Sequence, residues 1–163
     1  MEQIASHCGN SYQGKVVSTD AADADFAQKK LVMQVRECSE DELRIPFHVG
    51  GDHSRTWVIS RTEEGLRLKH DHRHADGSED AVTQYGGDSA MINAGRAEFP
   101  VDPFSIELFQ REGLETSVTN VWAMEISDDV FAYELSRENR FFRVEFDLTT
   151  PVAAPPPPWG AEG

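Results

Sequence analysis

The chain has 163 residues, 29 acidic against 15 basic side chains and a formal net charge of −14. That length suits one domain, and a hydrophobic content of 39% is enough for one core, because a chain of this size buries roughly 70% of the surface it exposes unfolded. A pI near 4.7 argues against nucleic acid and anionic membranes as partners, since both polyanions repel the chain and require clustered Lys and Arg.

No apolar run approaches the roughly 18 residues of a membrane-spanning helix, so no membrane insertion is expected. The segment 1–10 opens Met1-Glu2-Gln3-Ile4-Ala5-Ser6-His7, without the basic and apolar regions of an export signal. Cys8 and Cys38 are the only cysteines. Two alternatives follow: a pair of free thiols in a cytosolic protein, or a disulfide in an exported one, which stabilises through the unfolded state by about 3 to 4 kcal/mol. The preferred expectation is a periplasmic or secreted protein whose signal peptide is absent from the sequence as written.

Residues 11–149 read as one β domain. Around Asp20 to Gln28 the Ala and Asp content permits one short helix or a loop. Strand patterning follows at Leu31 to Val35, Leu43 to Val49, Thr56 to Ile59 and Leu66 to Lys69, each with period-2 alternation or β-branched enrichment between Gly, Asp and Asn. In the last third, turns at Asp128-Asp129 and Glu138-Asn139 set Trp122, Met124 and Ile126 opposite Leu135, Tyr133 and Phe131, and these opposite Phe142, Val144 and Phe146. One side of all three strands is then apolar, and a slip of one residue would reverse every side chain. Residues 150–163 carry Pro151 and the run Pro155 to Pro158. They read as a disordered proline-rich tail, with Trp159 the one residue able to dock back on the body.

The expected fold is an all-β, single antiparallel up-and-down β-barrel of eight to ten strands with at most one short helix. Gly9-Asn10-Ser11-Tyr12, followed by Gly14 and a closing aromatic hairpin, resembles the calycin superfamily of lipocalin-like barrels over about residues 8 to 148. The stretch from Phe47 through Gly87 is also similar to a group of uncharacterised bacterial exported proteins. The resemblance implies a small apolar ligand in a central cavity and assigns no binding residue.

The sharpest chemical feature is His70-Asp71-His72-Arg73-His74, three of six histidines in five residues. On a strand His70, His72 and His74 share a face with Leu66 and Leu68. A two-residue turn at Asp76-Gly77 sets His74 against Glu79, His72 against Ala81, His70 against Thr83 and Leu68 against Tyr85. The other face then pairs Arg73 with Asp80 and turns Asp71 toward water. The preceding turn, Thr62 to Gly65, admits two registers. The preferred one keeps Trp57 and Ile59 on the apolar face and sets Ile59 against Leu68, Trp57 against His70, Arg55 against His72 and His53 against His74.

A patch of His53, Arg55, His70, His72, His74 and Glu79 is thereby expected at one barrel mouth. Two same-face imidazoles with a third ligand from His53 or Glu79 can hold a transition metal such as zinc and activate a bound water. The alternatives are a hydrogen-bonding row, or an organic-anion site built on Arg55 and protonated histidines. Three functions stay open. The first is a non-enzymatic exported barrel that binds a small amphipathic or apolar ligand through Arg55, Trp57, His70, His72, Tyr85, Trp122 and Tyr133. The second is a zinc-dependent hydrolase or isomerase using His70 and His72. The third is a cell-envelope module whose partner is another protein.

Overall fold

The computed structural model describes residues 1–161; Glu162 and Gly163, the end of the tail, lie outside the described residues. In chain order the elements begin with helix α1 (Glu2–Ala5) and strand β1 (Ser11–Val16), then a 3-10 turn (Ala21–Asp23) running into helix α2 (Ala24–Gln28). Eight strands follow: β2 (Leu31–Gln34), β3 (Glu37–Cys38), β4 (Glu42–Val49), β5 (Asp52–Arg61), β6 (Leu66–His72), β7 (Tyr85–Asp88), β8 (Met91–Asn93) and β9 (Arg96–Pro100). Helix α3 (Pro103–Arg111) and a second 3-10 turn (Glu115–Thr119) lead to β10 (Val121–Ile126), β11 (Val130–Arg137) and β12 (Arg140–Val152).

All twelve strands join one sheet in the order β7-β6-β5-β4-β2-β1-β12-β11-β10-β9-β8, with β3 paired to β4 off this path. Every ladder is antiparallel, as the alternating patterns require. The sheet is an up-and-down half-barrel, compatible in outline with a calycin-like fold. The strand count exceeds the expected eight to ten because β3 and β8 hold only two and three residues, too few to leave a period. Three short helices stand where at most one was expected. The longest, α3, starts at Asp102, whose carboxylate accepts the Ser105 N–H at 2.8 Å, with Pro103 in its first turn. That is an Asp cap followed by a helix-compatible proline.

First and last strands pair through β1 and β12, as in a barrel, and the ladder is open between β7 and β8. Two glycines bring β7 against the chain after β9. Asp102 N–H donates to Gly86 O at 2.9 Å, and a Cβ on Gly87 would lie 1.8 Å from Pro100 O. Ser105, fully buried, accepts from Gly86 N–H at 2.8 Å and thereby ties α3 to this seam.

Both turns of the last third are in place, and Trp122, Met124 and Ile126 oppose Leu135, Tyr133 and Phe131, which oppose Phe142, Val144 and Phe146. The apolar sides meet in one core. Trp57 stacks between Phe47 and Tyr133, with ring centroids at 4.8 and 4.5 Å, while Phe131 and Phe146 close on it from below. Burying each such side chain stabilises the fold by about 1.5 to 3 kcal/mol. These aromatics fill the middle of the half-barrel.

Outside, Arg96 and Arg143 interleave with Glu98, Glu125, Glu134 and Glu145. Asp71, expected to face water, is instead only 4% exposed, held by Arg44 at 2.6 Å and Arg73 at 2.8 Å. Cys8 and Cys38 form a disulfide with Cα atoms 6.3 Å apart, tying the chain before β1 to β3. No helix among the described residues is long and apolar enough to cross a membrane.

The C-terminal segment differs from the disordered tail expected of its prolines. Strand β12 continues to Val152 beside β1, and the run beyond it packs on the body. Trp159 N–H donates to His53 O at 2.9 Å, and its ring meets the His53 imidazole edge-on. A proline run needs no ladder partners of its own, so a single anchoring aromatic suffices to lay it down.

Candidate functional site

The β5–β6 ladder follows the preferred register: Ile59 opposes Leu68, Trp57 opposes His70 and Arg55 opposes His72. The next ladder does not follow the sequence reading. Tyr85 pairs with His70 and Gly87 with Leu68, and nearer the turn only Arg73 bridges to Glu79. The residues between bulge outward. Asp80 Oδ1 accepts Val82 N–H at 3.2 Å, and Gln84 takes a left-handed φ of 60°. Asp and Gln here satisfy a turn locally where the register argument required a regular strand.

This shift decides what surrounds His70. Tyr85 now stacks on its ring at 4.5 Å. Nδ1 of His70 donates to Tyr85 O at 3.0 Å, and Nε2 accepts from Tyr133 Oη at 2.7 Å. Both ring nitrogens are thus used by the fold. Burial lowers the His70 pKa to about 4, since the charged ring would have no water and Tyr133 would have to give up its donated bond. Burial likewise raises the hydroxyl pKa of Tyr85 and of Tyr133, so both are neutral donors.

The five proposed metal ligands separate. His70 is committed as above. His72 lies with Ser54 and Asp80. His74 is exposed and its N–H donates to Ser78 O within the turn. Glu79 is also exposed and accepts from Gln84 Nε2 at 3.1 Å. His53 leaves the row because of a bulge: Phe47 opposes Arg55, yet Val49 opposes Asp52. The extra residue turns His53 toward His48, with their Nδ1 atoms 2.6 Å apart and the Trp159 ring edge-on to His53. Burial first, and then the His53 charge, push the His48 pKa down to about 4. Among the described residues no three His, Cys, Asp or Glu side chains converge on a point that could hold a metal.

The aromatic part of the expected site does assemble. At the mouth lies a cavity of about 130 Å³ bordered by Arg55, Trp57, His70, His72, Tyr85 and Tyr133. Trp122, grouped with these in sequence, sits 1% exposed beneath them, its ring 5.0 Å from that of His70, and supports the floor. Sequence reading missed Phe26, Phe47, Leu135 and Phe142 as further walls and Arg140 with Asp23 at the rim. Phe26 comes from α2, where a single phenylalanine among Ala and Asp gives no period to follow. Arg140 holds the buried Asp23 with two bonds, at 2.7 and 2.6 Å, fixing α2 over the opening.

Arg55 enters the cavity from the face of β5 that carries Trp57 and Ile59. Its guanidinium lies over the Phe26 ring at 5.4 Å. Its Nη1 donates to Asp52 Oδ2 at 2.9 Å and reaches Ser54 Oγ at 3.5 Å, while Nε and Nη2 make no hydrogen bond to the described residues. The site therefore combines apolar walls, neutral hydroxyls and the neutral His70 imidazole held by the fold, and the Arg55 cation with unused donors. Comparison of the chain with protein-family models, with curated proteins and with solved structures found no match.

Proposed function

We propose that the protein binds a small aromatic carboxylate at the half-barrel mouth. The observation that carries this reading is Arg55, which presents a planar cation with unused donors at the rim of an aromatic cavity. A carboxylate matches that fork in shape and charge. The cavity volume of about 130 Å³ is near the roughly 150 Å³ of an apolar cavity that accepts benzene, so a single ring fits and a lipid does not. Phe26, Tyr85 and Phe142 line the same cavity and would border that ring, with the stacked Trp57 and Tyr133 behind it. The Cys8–Cys38 disulfide supports a periplasmic or secreted setting, where such bonds persist.

Isothermal titration calorimetry with benzoate, and with benzyl alcohol as its uncharged counterpart, tests the reading. Arg55→Gln should weaken benzoate roughly 10- to 150-fold, the worth of a charge-assisted hydrogen bond, and leave benzyl alcohol unchanged. Equal benzoate affinity in both proteins, or no benzoate binding by the wild type, overturns it.

A further inference from the structure

Three side chains beside the mouth stand in the order of a nucleophile, a base and an orienting acid. Ser54 Oγ is 3.3 Å from His72 Nε2, and His72 Nδ1 is 3.1 Å from Asp80 Oδ2, without a well-aligned hydrogen bond on that second side. They come from the start of β5, the end of β6 and the bulged segment after the 74–78 turn. Contacts of this kind are often long or misaligned before substrate is bound. A neutral imidazole serves both neighbours in one tautomer only: Nδ1 carries the proton toward Asp80, and Nε2 accepts from Ser54 Oγ. That is the tautomer a general base for serine requires.

Each partner is held for that role. Asp80 is fixed by the Val82 N–H, and this bond together with the nearby histidines keeps its carboxyl below the usual range, hence ionised near neutrality. Arg55 Nη1 sits 3.5 Å from Ser54 Oγ, a positive charge beside the attacking oxygen and within a side-chain shift of the oxyanion that attack would create. His72 and Arg55 border the aromatic cavity. Ser54 is 4% exposed and screened from bulk water. Ser54 does not itself border that cavity, so attack requires the adjoining Arg55 side chain to shift; its tie to Asp52 is a partly exposed ion pair of small net strength.

We propose that the protein hydrolyses small aromatic esters, with Ser54 as nucleophile, His72 as general base and acid, Arg55 as oxyanion partner and Asp80 as a positioning residue. The substrate class rests on the aromatic-carboxylate reading above. Ser54 Oγ attacks the ester carbonyl carbon as its proton passes to His72 Nε2. The bond from that carbon to the alcohol oxygen breaks, and His72 returns the proton to the departing oxygen. Water then attacks the acyl carbon and gives a proton to His72 Nε2. Cleavage of the bond to Ser54 restores the hydroxyl with that proton. Ester and water become carboxylic acid and alcohol, and the ionised acid is the ligand class proposed for the mouth.

The test is labelling of the intact wild-type chain with an alkyl fluorophosphonate, located by peptide mass spectrometry, beside hydrolysis of 4-nitrophenyl benzoate. The expected result is a stoichiometric adduct on Ser54 and turnover that Ser54→Ala abolishes. His72→Gln should lower kcat about 10²- to 10⁴-fold. Asp80→Asn should lower kcat with KM little changed and shift the acid limb of the pH profile, which a merely structural contact would not do. Wild-type protein, folded by circular dichroism, that shows no adduct on Ser54 overturns the proposal without using any variant. So does turnover that persists in Ser54→Ala. Benzoate binding without an adduct removes the hydrolase and keeps the binding reading. An adduct without benzoate binding removes the aromatic substrate class.

Discussion

His70 makes the fold acid-sensitive by a calculable amount. Its pKa falls from the ordinary 6.5 to about 4 because it is buried, so between these values the unfolded chain holds more protons than the folded one. Stability from this residue is therefore complete above about pH 6.5 and is lost as the pH falls toward 4. At about 1.4 kcal/mol for each tenfold change in proton affinity, the full loss is about 3 kcal/mol, of which about 2 kcal/mol has gone at about pH 5. His70→Gln loses the bonds to Tyr85 O and Tyr133 Oη and is less stable near neutrality by about 1 to 3 kcal/mol, but has no proton to take up. Urea unfolding followed by tryptophan fluorescence at about pH 7.5 and about pH 5 should show the gap between wild type and variant narrowing by about 2 kcal/mol. His48, also held low, is common to both proteins and cancels. A constant gap would refute the argument that burial of the His70 ring opposes its protonation.

Three further outcomes follow from the geometry. Reducing the disulfide between Cys8 and Cys38, 30 residues apart, should cost about 3.6 kcal/mol by freeing the unfolded chain. Unfolding curves that superimpose with and without reductant would contradict this. Gly87→Ala drives a Cβ into the Pro100 carbonyl, a backbone atom 1.8 Å away that cannot yield, and should cost more than about 3 kcal/mol. Gly51→Ala meets nothing within 4 Å and is the matched control; equal melting temperatures would mean that β7 does not meet the chain after β9 as described. Deleting residues 153–163 removes the Trp159 to His53 bond and should destabilise by about 0.5 to 1.5 kcal/mol, read as a lower melting temperature. No change would mean that the segment contributes nothing to the body.

Much of this architecture is legible in the sequence because strand alternation is a local property. Trp122, Met124 and Ile126 against Phe131, Tyr133 and Leu135 admit one register only, and the structure has it. The β5–β6 register yields to the same reasoning, since it keeps Trp57 and Ile59 beside Leu68 and His70. The site was only half legible. Arg55, Trp57, His70, His72, Tyr85 and Tyr133 border one cavity, because they belong to strands whose faces could be assigned. His53, His74 and Glu79 do not join them. A bulge at His53 and Ser54, opposite His48, and a local turn at Asp80 break the period on which that placement depended. Phe26 and Arg140 left no signal, since α2 is too short to show a period and the partners of Arg140 lie 117 and 120 residues away.

The sequence by itself determined a charged exterior, an antiparallel β chain and the apolar face on which three histidines begin. Alternation and composition act between near neighbours and need no knowledge of the rest of the chain. Only the tertiary structure decided what those histidines became. His70 is locked between Tyr85 and Tyr133, His72 is set between Ser54 and Asp80, and His74 is left to solvent. The physical reason is that a hydrogen-bonding side chain takes its role from whichever partners the fold brings within about 3 Å. In this protein those partners lie across a strand ladder, in an irregular loop and on a strand 63 residues further along the chain.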